Sequence, residues 1–482
     1  KDGGIGYGIR RLVAERAHSA REAVDIATKL LAEFGYFHDG RTYTFADANE
    51  AWQLAIHQGN SWVARKIHDN EVVYIPNNFM MDKVDLNDKE TWRIEPKQVE
   101  RAVKDGRHDA KNPIFNWRKV VAQESVRHER WNANRNVLAW KFLTGVEYND
   151  PEKFPYSAVI DRKLGVKDAM ALLRLHEDYI GQDQELYHSK SEGICRTTSH
   201  DSIVYNLTAD PTLTEAWKTL GRPCQSVFVP LYPLAGPAKG TAFTDPATAT
   251  KEHFAGTPAM FDYRADFTPH SVFSASNNAI DYLRGDELAK RTQLIQAEED
   301  KFMKDRAAVT KKAAGLKGEE RTKFLHDYNQ KSYDHVLKIM QAENARLMPN
   351  KVKILADVVK ADGDGTVDFA LLGAKGHEVL SANMEATRAG MSANQLNSTR
   401  QWKNFAPAEK MVYKDVNNDG ITDVVFTFKA KDVTKGAVAG AAMDLWLYTQ
   451  INGHRVTGFD VVPVENDKVK MNKGARDGKG LL

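Results

Sequence analysis

The sequence predicts an α+β protein in three parts: a layered α/β/β/α domain over residues 1–285, a charged helical hairpin over 286–348 and an all-β domain over 349–482. Three observations predict it. Helix-period apolar residues at the start give way to short runs rich in β-branched and aromatic residues, a highly charged stretch follows, and Gly-rich turns then separate strand-like runs to the end.

In the first part, Leu12, Val13, Ala17, Ala23, Val24, Ile26 and Ala27 fall near helical spacing, with Ser19 as a cap between two helices and Gly35 ending the second. RTYTFAD, EAWQLAIHQ, SWVARKIH and EVVYIPNNF then read as successive antiparallel strands separated by Asp, Asn and Gly. A helical layer followed by a meander is one flank of a layered α/β/β/α domain. Residues 96–285 are mixed, with a helix over Lys167–Tyr179, a strand-like CRTTSHDSIVYNL, and Ser226–Leu231 apolar enough for a strand buried on both faces. Residues 286–348 form helices broken at Gly315–Gly318, and their charge is expected to face solvent. In the third part, KVKILADVVKA, TVDFALLG, DVVFTFKA and DLWLYTQI suggest a β-sandwich.

Composition narrows the function classes. With 482 residues the chain is long enough for several cores, and 42% hydrophobic and 27% charged residues are those of an ordinary globular protein. The 67 basic and 65 acidic residues leave a formal net charge of +2, so there is no overall field to attract nucleic acid or an anionic membrane. No run of about 18 apolar residues predicts a membrane span. The chain opens at Lys1 without an initiating Met, as a processed product would. Cys195 and Cys224 are too few for a disulfide scaffold but enough for one bridge.

The third part contains DVNNDGITD, where Asp415, Asn417, Asp419 and Asp423 offer oxygen ligands on a tight loop and Gly420 permits the sharp turn. Hard oxygen donors in that spacing suit structural Ca²⁺, although Phe426 stands where a full EF-hand loop has Glu. An Asx-rich turn without metal is the other reading, and Asp362–Gly365 reads as an ordinary acidic turn. DVNNDGITD followed by VTGFDVVPV resembles the calcium-dependent β-sandwich modules of secreted bacterial proteins, which implies a secreted, periplasmic or extracellular location.

Chemistry concentrates in segments of fixed order: NEAW (Asn49–Trp52), WVARKIHDN (Trp62–Asn70), YIPNNF (Tyr74–Phe79) and CRTTSH (Cys195–His200). With RHDAKNP, PYSAVIDRKLGVKDAMALLR and WKTLGRPCQSVFVPLY, they resemble peptidase family C69, secreted dipeptidases of the N-terminal-nucleophile superfamily, from about residue 1 to residue 345. The resemblance implies a four-layer αββα sandwich, here partial, and a mature N-terminal Cys as nucleophile. Its own α-amine, with a pKa of about 8, would accept the proton. Lys1 is not such a residue, so the implied Cys lies on a preceding segment, an N-terminal fragment of the same precursor.

By the same resemblance Asn77 is the oxyanion donor, because Pro76, Asn77, Phe79, Asp82 and Asp85 match the family's PN segment. Arg196 corresponds to the arginine that favours the thiolate, Thr197 and His200 fall on matching positions, and Trp52, Trp62, Thr198 and His200 line or support the pocket. Read alone, Pro-Asn-Asn is a turn signature and both tryptophans are core residues. A Cys195–His200 pair is the less favoured alternative, since residues five apart on a strand point to opposite faces. Gln53–Ser61 lacks the family's pocket Glu and paired histidines, and His57 partly replaces that polarity.

The expected substrate is a dipeptide or other small amide, with no redox or organic cofactor. The rival readings are an N-acyl amide acylase of the same superfamily and a non-catalytic extracellular binding or assembly protein. A homo-oligomer is left open.

Overall fold

A computed structural model describes residues 4–176, 193–196, 199, 201–238, 285–347, 350–391, 405–435, 437, 439–451 and 454–470. The chain forms two compact units: Lys1–Glu177 with Glu192–Ile194 and Tyr205–Glu215, and Asp178–Ser191 with Cys195–Val204 and Ala216–Leu482.

The first unit begins with α1 (Ile9–Ala14) and α2 (Ala20–Phe34). Ser19 Oγ accepts the Glu22 N–H at 3.1 Å, satisfying one of the helix's orphan donors, and the Glu22 carboxylate accepts the His18 N–H just before the cap at 2.7 Å. Gly35, at φ 71°, closes the helix with its N–H on the Leu31 carbonyl. Ala20, Ala23, Val24, Ala27 and Leu31 form the buried stripe.

That stripe packs on an antiparallel sheet of order β1-β2-β3-β6, made of β1 (Tyr36–Ala46), β2 (Ala51–Gly59), β3 (Ser61–Ile67) and β6 (Trp92–Ile94). The expected fourth strand leaves this sheet. β4 (Glu71–Val73) is short and pairs with β8 (Ser157–Val159), and the chain carries no strand from Tyr74 to Phe79. Pro76, which has no N–H to give a ladder, lies in that stretch.

Both faces of the sheet are covered. Trp52, Leu54, Ile56 and Ala64 pack with α1 and α2. The alternate residues Ala55 and Val63 join Met80, Met81, Val84, Phe115, Trp117 and Trp140. Trp140 comes from α6 (Arg130–Thr144), reached after β5 (Val84–Asp85), α3 (Gln98–Lys104), β7 (Ile114–Phe115), α4 (Trp117–Val121) and α5 (Glu124–His128). The helix expected over Lys167–Tyr179 is α7, Val166–Leu173. Its predicted last residues, 177–179, lie outside the described ones.

Further along the chain, β9 (Ile203–Asn206), β10 (Glu215–Lys218) and β11 (Val229–Leu231) form a sheet in the order β11-β10-β9. The charged stretch is the expected hairpin of α8 (Gly285–Gly315) and α9 (Gly318–Leu347). Its polarity is not all solvated, however. Glu299 Oε1 accepts the Phe228 N–H at 2.8 Å, Asn329 bonds both the N–H and the carbonyl of Tyr232, and buried Arg291 donates to the Gln225 carbonyl at 2.6 Å. Glu343 balances that guanidinium at 3.5 Å. A segment with too few ladder partners has its backbone groups met by side chains of the hairpin.

Beyond the hairpin two sheets share one hydrophobic cluster. The first has the order β12-β14-β18-β17 and the second β13-β20-β19-β15-β16. Their strands are β12 (Val352–Ile354), β13 (Val359–Lys360), β14 (Thr366–Leu371), β15 (Arg388–Met391), β16 (Ala406–Pro407), β17 (Lys410–Lys414), β18 (Asp423–Lys429), β19 (Ala441–Ile451) and β20 (His454–Glu465). Phe369, Leu371, Phe426 and Phe428 from one sheet meet Leu445, Leu447, Val462 and Val464 from the other. The runs TVDFALLG, DVVFTFKA and DLWLYTQI contain strands as expected, whereas KVKILADVVKA divides into β12 and β13, one in each sheet.

Candidate active site

The chain leaving β4 is held before it reaches Asn77. Arg65 on β3 grips Glu71 with two parallel bonds of 2.9 and 2.8 Å, and Ser157 Oγ adds a third at 3.2 Å. Burial alone would raise the Glu71 pKa, but the bonds from Arg65, the His68 N–H and Ser157 outweigh it and hold the carboxyl below its ordinary range. Downstream, Tyr74, Ile75 and Phe79 pack into the cluster around Trp117 and Trp140. The Phe79 ring lies edge-on to Trp117 at 4.8 Å and reaches the backbone of β1 at Gly40, where a Cβ would overlap it. Gly40, with φ 150°, is thus required by this close approach.

Between these anchors Asn77 is exposed while its neighbours are partly buried. Its backbone N–H donates to Asn132 Oδ1 at 3.1 Å, and Asn132 Nδ2 donates to Asn78 Oδ1 at 2.8 Å and to the Val126 carbonyl at 3.0 Å. Arg135 Nη1 reaches Asn77 Oδ1 at 3.4 Å, its Nε donates to the Gly193 carbonyl at 3.2 Å, and its guanidinium lies 4.9 Å over the Trp131 ring. Asn136 donates to the Asn132 carbonyl at 3.2 Å. Asn132, Arg135 and Asn136 are all buried, one turn apart on one face of α6.

Sequence reasoning missed these three residues. The signal that could have found them is the WNANRN run, where polar residues at positions i, i+3 and i+4 sit between Trp131 and Trp140.

Arg196 belongs to the second unit and is half-buried. It is not on a strand: its N–H donates to Ser199 Oγ at 3.2 Å and its carbonyl accepts the Ser199 N–H at 3.0 Å, a turn that precedes β9 by several residues. Thr197, Thr198 and His200 lie outside the described residues. Cys195 is buried, with its Sγ 3.4 Å from Cys224 Sγ.

Trp52 and Trp62 sit on the sheet face that packs against α1 and α2, opposite the face carrying Phe79 and the Asn77 segment. Trp52 is fully buried, with Arg93 and Arg21 at 5.0 and 5.4 Å from its ring. The alternate face of β2 is the one turned toward Phe79. It carries buried Gln53, which accepts from Tyr156 Oη at 2.8 Å, and His57, whose ring lies 6.4 Å from Phe79. Burial lowers the His57 pKa, opposed by Asp39. Ser61 is also buried and donates to Gln98 Oε1 at 2.6 Å.

The Asp415–Asp423 loop joins β17 to β18, with Asn418 and Gly420 at φ 58° and 83°. Asp415 accepts the Gly420 N–H at 2.9 Å, Asp419 accepts the Ile421 N–H at 2.8 Å, and Asn417 bonds Asp419 at 2.8 Å. Buried Asp423 accepts the Gly373 and Val416 N–H groups, each at 2.8 Å. Asp423 therefore ties the loop into the sheet, while the other three side chains are exposed or near the surface. No helix among the described residues is long and apolar enough to cross a membrane.

The exposed Asn77 thus sits on a braced turn beside a sheet flanked by helices. Residues 1–254 match the model of peptidase family C69, and the chain belongs to that family. It is 24% identical over 231 residues to a probable dipeptidase of Latilactobacillus sakei, covering 46% of this chain and 48% of the relative. It is 28% identical over 282 residues to probable dipeptidase B of Lactococcus lactis subsp. lactis, covering 54% of each. A dipeptidase of Bifidobacterium longum matches at 22% over 351 residues, 66% of this chain and 64% of the relative. The chain thus spans about half the length of the first curated relatives it matches.

Proposed function

We propose that this protein hydrolyses the peptide bond of dipeptides through an N-terminal cysteine carried on a segment that precedes Lys1. The observation that carries the reading is Asn77, an exposed side-chain amide on a backbone braced from three sides within a chain of family C69. The thiolate adds to the scissile carbonyl, and Asn77 Nδ2–H donates to the oxyanion that forms. Collapse breaks the C–N bond, the α-ammonium of the cysteine protonates the departing amine, and water then hydrolyses the thioester. Arg196 favours the thiolate and the substrate carboxylate. The helical layer on a sheet whose other face is also buried supports a partial αββα arrangement. Thr198 and His200 are the pocket residues in this reading, since Trp52 and Trp62 face α1 and α2.

Intact-mass analysis and N-terminal sequencing of every polypeptide in the native protein, followed by dipeptide assays, test this reading. A Cys-initiated polypeptide with dipeptide hydrolysis that thiol alkylation abolishes is the expected result. Hydrolysis that survives alkylation, or no Cys-initiated polypeptide at all, would overturn it.

The acidic loop at Asp415, Asn417 and Asp419 is proposed to hold a structural Ca²⁺, supported by oxygen donors near the surface on a hairpin anchored by buried Asp423. Added Ca²⁺ would raise the Tm, and Asp415→Ala would remove the shift. An unchanged Tm in millimolar Ca²⁺ would rule it out. The secreted or periplasmic location is supported by the Cys195–Cys224 contact. Two thiols at that separation form a bridge after small adjustment when a disulfide oxidant takes their two electrons and two protons are released.

A further inference from the structure

We infer that Arg135 is a positioning residue that orients the Asn77 amide so that its two N–H donors, and not its oxygen, face the reacting carbonyl. The inference rests on Asn77 being the oxyanion donor and names the group that makes it one.

An asparagine amide has a donor end and an acceptor end of nearly equal shape, and a free turn would present either. Arginine has donors only. The atom of Asn77 that faces Arg135 Nη1 at 3.4 Å is therefore the oxygen, which leaves Nδ2 to point away from the guanidinium. The separation is long for a hydrogen bond, but the donor is charged and its position is not free. Its Nε is bonded to the Gly193 carbonyl, its plane lies over Trp131, and its side chain is buried.

The rest of the network has the same directionality. The Asn77 N–H requires an acceptor at Asn132, so Asn132 presents Oδ1 there and must present Nδ2 to Asn78 Oδ1 and the Val126 carbonyl. None of the Asn77, Asn78 and Asn132 amides can be reversed without setting donor against donor. One guanidinium thus bonds both the PN segment and Gly193, which belongs to the same unit.

A donor fixed before substrate arrives loses no reorganisation energy as the oxyanion forms, which is where its effect on rate arises. Removing Arg135 should therefore lower kcat and leave KM nearly unchanged.

The test compares Arg135→Gln, Arg135→Lys, Asn77→Ala and the Arg135→Gln/Asn77→Ala double variant in the full-length, processed protein, with Tm as a check on folding. Asn77→Ala should lower kcat about 10²-fold to 10³-fold. Arg135→Gln should lower it about 10-fold to 100-fold with KM within about threefold, and Arg135→Lys should recover part of the loss as a point-charge donor. In the Asn77→Ala background Arg135→Gln should add less than about twofold, because there is no amide left to orient.

Losses that multiply in the double variant would overturn the positioning role while leaving Asn77 as the donor. Full activity of Asn77→Ala would overturn the oxyanion assignment itself. A crystal structure of Arg135→Gln supplies a readout independent of turnover: an Asn77 amide in its original orientation would also defeat the inference, and a rotated or disordered amide supports it.

Discussion

Helices α2 and α6 are each 15 residues long and flank opposite faces of one sheet, yet α2 buries only apolar residues while α6 buries polar residues beside Ala139, Trp140 and Leu143. The inner face of α2 is Ala20, Ala23, Val24, Ala27 and Leu31, and its ends are closed by Ser19 and Gly35. Part of the inner face of α6 is Asn132, Arg135 and Asn136, and its N-terminus has no side-chain cap. Burial of apolar area stabilises without specifying direction, whereas each buried polar group needs a partner in one geometry. Asn136 Oδ1 has no donor among the described residues, a desolvation cost of about 1–3 kcal/mol that an apolar side chain would avoid. The first helix holds the sheet together, and the second holds a side chain in place.

The comparison can be broken in order of effect. Asn132→Ala should cost both activity and stability, because it strands the Asn77 N–H, Asn78 Oδ1 and the Val126 carbonyl. A kcat loss of about 10²-fold from the displaced turn is expected, with about 2–3 kcal/mol of stability in denaturant titration. Unchanged kcat in that variant would put α6 in the same category as α2. Leu31→Ala should cost about 2–5 kcal/mol with kcat unchanged, since the cavity forms on the face away from Asn77.

Ser19→Ala should cost about 1 kcal/mol through the lost cap, again without a change in rate. The smallest effect lies on the α6 side of the sheet, at His57. Burial lowers its folded pKa, so the unfolded chain binds more protons as the pH falls through the ordinary value of 6.5. Stability is retained above that value and is lost as the pH falls through it toward the lowered folded pKa. His57→Gln should flatten this part of the Tm against pH curve, and an identical slope in the variant would remove His57 as its cause.

These differences mark what was legible. The capped α2, the first three strands and the closing β19–β20 pair follow from local rules: a cap and a Gly stop, β-branched and aromatic runs separated by Asp, Asn and Gly, and long apolar strands close together in the chain. The departure of β4 from the main sheet was not legible, because EVVYIPNNF has strand composition and its partner, Ser157–Val159, lies more than 80 positions away. The buried side of α8 and α9 was hidden for a related reason. A glutamate or asparagine that meets a backbone amide looks, in sequence, like one that meets water.

The candidate site divides along the same line. Asn77, Arg196 and the acidic loop could each be singled out from a local segment of the sequence. The strand assigned to Arg196 was wrong because its backbone turns on Ser199, and alternation along β2 and β3 sends Trp52 and Trp62 to the face away from Asn77. Arg135, Asn132 and Asn136 were invisible as a group with Asn77, since their spacing shows only that they share a helix face.

By itself the sequence determined the α+β class and the family, because caps, period and motif spacing are properties of neighbours in the chain. Only the tertiary structure decided which way the Asn77 amide points, because that depends on a donor 58 positions away whose place is set by packing.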